Sequence, residues 1–207
     1  IIDCKAFSEG IKYLENYTSI PEKGNYYIAH DKSFLESLSS TELYEKVFDG
    51  IRLEYGYVNG KNSLLNAVEF HDSSEINIAV SSMVIFLGKY EDIIDRKYNS
   101  KKLETFFVPK GTIMEIFPKI LHFSPFTIDS EGFKCGVILP YGTNMEFSKK
   151  TEFKFDDDYY LFKTKKWLLA HKENDKAIVN GAYVGLTGEN IKIKRIWGKT
   201  MIKFIRK

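Results

Sequence analysis

The feature that most constrains the fold is a series of short, strand-like segments that begins at about residue 51. β-Branched and aromatic residues dominate these segments, and turn residues interrupt them about every 8 to 15 positions. Turn signals include Asn59-Gly60, Asp129 to Gly132 and Pro140 to Gly142. Many short strands with this spacing predict a β-barrel or β-sandwich.

The first 50 residues have a helical pattern instead. Apolar residues recur there at spacings of three and four, at Phe34, Leu35, Leu38, Leu43, Val47 and Phe48. Ser39 and Glu42 have the spacing of a capping box, and Asp49-Gly50 ends the segment. A length of 207 residues suits one domain. We divide it into a helical segment (1–50), barrel motifs (51–155) and C-terminal strands (156–207), with an acidic loop at Asp156 to Asp158.

Composition excludes several classes of protein. Lys and Arg number 30 against 28 Asp and Glu, so a net charge of +2 gives no field that would recruit nucleic acid. No apolar run approaches the roughly 20 residues that span a bilayer, so we expect a cytoplasmic protein with no membrane partner. Cys4 and Cys135 are far apart in sequence, which favours free thiols. The basic, alternating end from Lys192 to Lys207 predicts an edge strand, and an exposed edge favours a homodimer.

The first stretch with candidate chemistry runs from Val68 to Asn77. Its polar members all share one parity, so on an extended chain they point the same way: Glu69, His71, Glu75 and Asn77. Imidazole and carboxylate are the usual ligands of Zn, Mn, Fe or Ni. Spacing alone leaves two interpretations open, a metal site inside a barrel and a solvated strand face.

The second stretch contains Glu115 and His122. Glu115 lies between Met114 and Ile116, and a buried carboxylate in such apolar surroundings must be paired, coordinated or protonated. The alternative is that Glu115 faces solvent on an edge strand and that His122 hydrogen-bonds a backbone carbonyl. The sequence contains neither a nucleophile elbow nor a dinucleotide-binding fingerprint, and this disfavours serine hydrolysis and hydride transfer.

Candidate substrate-binding residues lie in three places. Asn77 shares the face of Glu75, and Arg52 or Lys166 would supply charge-assisted hydrogen bonds to an anionic group. His171 alternates with Lys166 along the Lys166 to His171 segment, so the two side chains point to opposite faces. For His171 a packed core histidine and a pocket residue both remain open.

Several motifs together resemble a known family. These are Glu69-x-His71-x-x-Ser74, Leu103 to Gly111, Leu121 to Pro125, Gly132 to Asn144, Lys166 to His171 and Gly181 to Asn190. They look like the ureidoglycolate lyase superfamily of cupins, and especially an uncharacterised cupin-like family in Firmicutes. The resemblance implies a mostly β fold, a cupin-like double-stranded β-helix or jelly-roll barrel with short N-terminal helices.

The resemblance also implies a divalent metal ion, Mn, Zn, Fe or Ni. Cupins commonly hold it with a His-x-His-x-x-x-Glu motif and a second-motif His, but here Glu69 replaces the first His and Met114 the last. The metal ligands that this implies are His71, Glu75 and His122. Glu115 would be a fourth ligand or a proton-transfer group if a strand bulge turned it inward.

Some relatives of that family are understood to isomerise sulfoquinovose, a sulfonated glucose. The leading functional prediction is therefore a metal-dependent aldose-ketose isomerase of a hexose or a charged sugar, with Glu115 or Glu69 carrying the proton. A lyase resembling ureidoglycolate lyase, which breaks a carbon-nitrogen bond, is the second hypothesis. A non-catalytic cupin that binds a sugar or an effector is the third.

Overall fold

The structure is a computed structural model that describes residues 7–38, 46–147 and 156–193. Its helices are α1 (Ser8–Tyr17), α2 (Lys32–Ser37) and α3 (Asp175–Val179). Its strands are β1 (Asn25–Ile28), β2 (Leu53–Gly60), β3 (Ala67–Phe70), β4 (Glu75–Ala79), β5 (Met83–Lys89), β6 (Tyr98–Asn99), β7 (Glu104–Val108), β8 (Ile113–Ile116), β9 (Ile120–Leu121), β10 (Phe133–Pro140), β11 (Leu161–Lys163), β12 (Lys166–His171) and β13 (Tyr183–Thr187).

The first sheet has the order β1-β2-β10-β4-β8, and all its pairs are antiparallel. Strand β10 pairs with β2 over eight residues, from Phe133 opposite Gly60 to Pro140 opposite Leu53. At Gly56 a Cβ would collide with the backbone oxygen of Ile28, so glycine there lets β1 lie against β2. The sheet therefore recruits a strand from the N-terminal part of the chain.

The remaining strands form two groups, β7-β5-β9 and β11-β12-β13-β6, with β3 paired antiparallel to β12. A bridge between Glu69 and His122 joins β3 to the residue that follows β9, and so connects the two groups. The pairs β12-β13 and β13-β6 are parallel.

Each face of the first sheet has its own apolar contacts. On β4 and β10, Ile76, Ile78 and Ile138 pack with Leu14 and Phe34 of the N-terminal helices. The alternate positions on β10, including Val137 and Leu139, pack instead with residues of β5, β7 and β8. We call the face that carries Val137 and Leu139 the inner face of this sheet. Residues paired directly opposite them on β2 and β4 lie on the same inner face. The fold is mostly β and cupin-like, as predicted.

The predicted segments need adjustment in two places. Strand β1 lies in the segment predicted to be helical, because its Tyr and Asn residues complete the edge of the first sheet. The acidic segment predicted as a loop is a 3₁₀ helix, Asp156–Tyr160.

Some sequence predictions fall outside the described residues. These are the capping box at Ser39 and Glu42, Cys4 and the edge strand beyond residue 193. Cys135 lies within them and is a buried free thiol. No helix in the described part of the chain is both long and apolar enough to cross a membrane.

Candidate metal centre

The candidate site forms where β3, β4 and the segment after β9 meet. Glu69 lies on β3, His71 directly follows that strand, and Glu75 begins β4. The backbone bridge between Glu69 and His122 has two hydrogen bonds, of 2.7 and 2.9 Å. It holds His122 beside Glu69, His71 and Glu75, although His122 is about 50 positions away from them in sequence.

Both imidazoles have a fixed orientation. Nδ1 of His71 lies 2.7 Å from the carbonyl oxygen of Lys165, and Nδ1 of His122 lies 2.9 Å from that of Ile120. A carbonyl only accepts, so this network assigns the proton to Nδ1 in each neutral ring. Both Nε2 atoms are buried, and each lies at ion-pair distance from Glu75 rather than in a well-aligned hydrogen bond. Each ring therefore presents an Nε2 lone pair, as metal-binding histidines do when Nδ1–H donates to a carbonyl.

The spacing of the donor atoms suits a divalent ion. Oε2 of Glu75 lies 3.3 Å from Nε2 of His71 and 3.4 Å from Nε2 of His122. Bonds of about 2.1 Å at tetrahedral or octahedral angles place neighbouring ligand atoms about 3.0 to 3.4 Å apart. Glu69 offers a further carboxylate, since its ligand atom and those of the two histidines lie within 4.8 Å of one another. The residues present thus fit a metal.

The charges in the cluster depend on one another. Burial alone would raise the pKa of Glu75, but the neighbouring imidazole of His122, and then that of His71, hold it well below the ordinary value. Burial alone would lower the pKa of His122. The carboxylate of Glu75 has the larger effect, so the pKa of His122 is raised. Glu75 is therefore a carboxylate, the ionisation state that a metal ligand needs.

Asn77 positions Glu75. Its Nδ2 donates to Oε1 of Glu75 at 2.6 Å, which leaves Oε2 directed at the two imidazoles. The other end of the amide, Oδ1, accepts from the thiol of Cys135 at 3.4 Å. Asn77 was predicted to bind substrate, and in the structure its hydrogen bonds are with Glu75 and Cys135.

Lys166 pairs with Glu69. Strand β12 pairs with β3 so that Leu168 lies opposite Glu69, and alternation places Lys166 on the same face. Its Nζ makes an ion pair with Oε2 of Glu69, and the two side chains are only 17% and 12% exposed. A largely buried cation thus lies next to a carboxylate whose ligand atom is within 4.8 Å of those of both histidines.

The site opens into a cavity of about 650 Å³. Five of the predicted site residues line it: Glu69, Glu75, Asn77, His122 and Lys166. Much of the rest of the wall is polar, with several asparagines and two more lysines, Lys163 and Lys176. A cavity of this size accommodates a small organic molecule, and its amides and charges suit one with many hydroxyl groups.

His71 is in the cluster without lining the cavity, and the other three predicted residues are not brought to the site. Glu115 lies opposite Ile76, on the outer face of the first sheet, and accepts a hydrogen bond from Ser74 at 2.7 Å. The β4-β8 register is continuous, so the bulge expected to turn Glu115 inward is absent from it. Met114 does point inward, opposite Asn77, and packs against an apolar cluster.

Arg52 and His171 also have other contacts. The guanidinium of Arg52 stacks on the ring of Tyr141, 3.8 Å from its centroid. His171 is on the face of β12 opposite to Lys166, where its ring nitrogens lie 3.3 Å from the carbonyl oxygen of Gly188 and from the backbone nitrogen of Glu173. Neither residue lines the cavity.

Sequence reasoning missed Tyr27, which lines the cavity from β1. Its segment was predicted to be helical, although Asn25-Tyr-Tyr-Ile28 is a run of strand-favouring residues that would have been the signal. Several asparagines of the wall were missed as well, because Asn62, Asn66 and Asn174 lie in loops that only the fold brings together.

The fold and the cluster define a cupin-like protein with a candidate His and carboxylate metal centre. The chain belongs to the family described as a domain of unknown function, DUF4867, whose model matches residues 1–191. No curated protein matches the sequence. The predicted relation to ureidoglycolate lyase, to sulfoquinovose isomerases and to Firmicutes stays a prediction.

The chain is also similar to solved structures. A recombinant oxalate oxidase in complex with glycolate is 15% identical over 58% of this chain and 52% of its own, with a TM-score of 0.37. Oxalate decarboxylase from Bacillus subtilis is 14% identical over 70% and 31%, also at 0.37. Hydroxypropylphosphonic acid epoxidase from S. wedmorenis is 12% identical over 42% of each chain, at 0.32. The chain spans about half or less of the length of these proteins.

Proposed function

We propose that the chain is a metal-dependent aldose-ketose isomerase that acts on a hexose or a charged sugar. One observation carries the proposal. The carboxylate of Glu69, held by Lys166, lies beside a cluster of two imidazoles and a carboxylate on the wall of a polar cavity. A base next to a candidate Lewis-acid site is what proton transfer α to a carbonyl requires.

The metal ligands in this proposal are His71, His122 and Glu75, whose donor atoms have the spacing described above. A bound divalent ion would polarise the carbonyl oxygen of the sugar as a Lewis acid. Asn77 keeps the ligand oxygen of Glu75 directed at the imidazoles. This arrangement leaves Glu69 for the proton transfer.

Glu69 takes the role of proton carrier. It removes the proton from C2 of the aldose and returns it to C1, so the carboxylate is regenerated at the end of the cycle. Lys166 keeps Glu69 oriented through their ion pair. Glu115 was the other candidate for this role, and its position on the outer face of the sheet favours Glu69.

The cavity supports a sugar as the substrate. Its asparagines supply amide donors and acceptors for hydroxyl groups, and its volume of about 650 Å³ exceeds that of a hexose. Lys163 and Lys176 line the same cavity and would favour an anionic substituent. Neither observation selects one sugar.

The test is an isomerisation screen of Mn-loaded and Zn-loaded protein over neutral, phosphorylated and sulfonated hexoses. We expect turnover of at least one aldose and its loss in Glu69→Gln. Glu104→Gln is the matched control, because Glu104 is exposed on β7 and away from the cavity. Urea release from ureidoglycolate would support the lyase instead. Sugar binding without turnover or metal would support the binding protein.

A further inference from the structure

A third carboxylate faces the interior, in addition to Glu69 and Glu75. Glu54 lies on β2 opposite Leu139, so it shares the inner face of the first sheet, and it is only 3% exposed. Its Oε2 accepts from the backbone N–H of Gly142 at 2.9 Å. Among the described residues, neither Lys nor Arg forms an ion pair with it. Burying such a group costs stability, and burial raises the pKa of Glu54.

Glu54 is joined to the cavity by Tyr27. Tyr27 lies opposite Val58 on the inner face and lines the same cavity as Glu69 and Glu75. Its hydroxyl donates to Oε1 of Glu54 at 3.4 Å and accepts from Nδ2 of Asn144 at 3.4 Å. Both bonds are long, so an oxygen of a bound substrate competes readily for the phenolic proton.

The phenol is kept protonated by its surroundings. Tyr27 is 37% exposed, yet its partial burial raises the pKa of the phenol, and the carboxylate of Glu54 raises it further. Glu75 and Glu69, which line the same cavity, also raise it. Tyr27 is therefore protonated at neutral pH, and it lies on a different strand from Glu69.

We propose that Tyr27 is a second catalytic residue, which exchanges protons with the oxygen atoms of the substrate, and that Glu54 positions it. This rests on the proposed isomerisation, in which one proton moves from C2 to C1 and another from O2 to O1. Tyr27 gives its phenolic proton to O1 and takes the proton of O2, so its O–H bond breaks and re-forms. Glu69 carries only the proton between the carbons.

The test compares Tyr27→Phe and Glu54→Gln with Tyr17→Phe, a control at a residue that is 78% exposed. Loss of a general acid lowers turnover by about 10² to 10⁴-fold, and we expect Tyr27→Phe to lower kcat at least about 100-fold with unchanged metal content. Glu54→Gln should lower kcat with an unchanged KM, because it acts through Tyr27. Tyr17→Phe should match the wild type.

Deuterium exchange separates this role from a structural one. In D₂O, Glu69 still exchanges the C2 proton when Tyr27 is absent, so the ratio of exchange to turnover should rise in Tyr27→Phe. A merely structural change would lower both rates together and leave that ratio alone. A kcat within twofold of the wild type, or a constant ratio, would overturn the proposal.

Failure of the isomerase itself is recognised separately. If the wild type converts no sugar, the proposed function is refuted, and Tyr27 is then tested by calorimetric binding of D-glucitol, an open-chain polyol. Binding at least tenfold weaker in Tyr27→Phe supports Tyr27 and Glu54 as a hydroxyl-binding pair. Equal affinity, or no binding to either protein, overturns it.

Discussion

The substitution Lys166→Met tests the buried ion pair of the site. It removes the cation from Glu69 and keeps most of the aliphatic packing of the lysine stem. The carboxylate of Glu69 then stays in surroundings where it is only 12% exposed. We expect the metal-free variant to be clearly less stable than the metal-free wild type, because the carboxylate of Glu69 has lost its ion-pair partner.

The magnitude follows from the exposure of the pair. Removing one partner of a fully buried pair costs about 3 to 5 kcal/mol, whereas an exposed pair is worth about 0 to 1 kcal/mol. Exposures of 17% and 12% place this pair near the lower end of the buried range, at about 3 kcal/mol. Lys163→Met is the matched control. Lys163 pairs with Glu146 at 2.7 Å, but with exposures of 30% and 79% its loss should cost under about 1 kcal/mol.

The assay is urea unfolding followed by tryptophan fluorescence, in the presence of EDTA. The double variant Glu69→Gln, Lys166→Met should recover most of the lost free energy of unfolding, because the charge itself is then gone. With saturating Mn²⁺ the loss from Lys166→Met should shrink, since a nearby cation replaces the ammonium. The reasoning is refuted if Lys166→Met and Lys163→Met unfold within about 0.5 kcal/mol of each other.

Three further predictions concern the site. Asn77→Ala should weaken metal binding about 10 to 100-fold in a chelator competition, since Glu75 loses its orienting bond, and unchanged affinity would contradict that role. In EDTA, the contribution of Glu75 to stability is present above pH 4.5 and is lost as the pH falls through its lowered pKa. The contribution of His122 is present below pH 6.5 and is lost as the pH rises through its raised pKa. The free energy of unfolding should therefore be highest between these values, and a flat profile from pH 5 to 9 would count against the pairing. Finally, Glu69→Gln should lower turnover at least about 100-fold and Glu115→Gln less than about tenfold, and the reverse order would restore Glu115 as the proton carrier.

Alternation along single strands was readable from the sequence. Glu75 and Asn77 share a face of β4, and Lys166 and His171 lie on opposite faces of β12, as period-two reasoning predicted. The mostly β fold was also predictable, because strand-forming residues and turn signals are spread along most of the chain. These features depend on local sequence only.

The pairing between strands was not readable in this way. Glu115 faces outward because it lies opposite Ile76, and nothing in its own segment shows which face of β8 is buried. His122 lies in the cluster because its backbone pairs with that of Glu69, a residue distant from it in sequence. Tyr27 and Glu54 are in contact only because β1, in the N-terminal segment predicted to be helical, pairs with β2.

The central claim is that His71, His122 and Glu75 hold a divalent ion, and the most direct measurement is metal binding to purified protein. Elemental analysis after dialysis against Mn, Zn, Fe and Ni, with calorimetric titration of EDTA-stripped protein, should give one tightly bound ion per chain. The His71→Ala, His122→Ala double variant, with folding checked by circular dichroism, should bind none. Equal metal content in the wild type and a folded double variant would contradict the account.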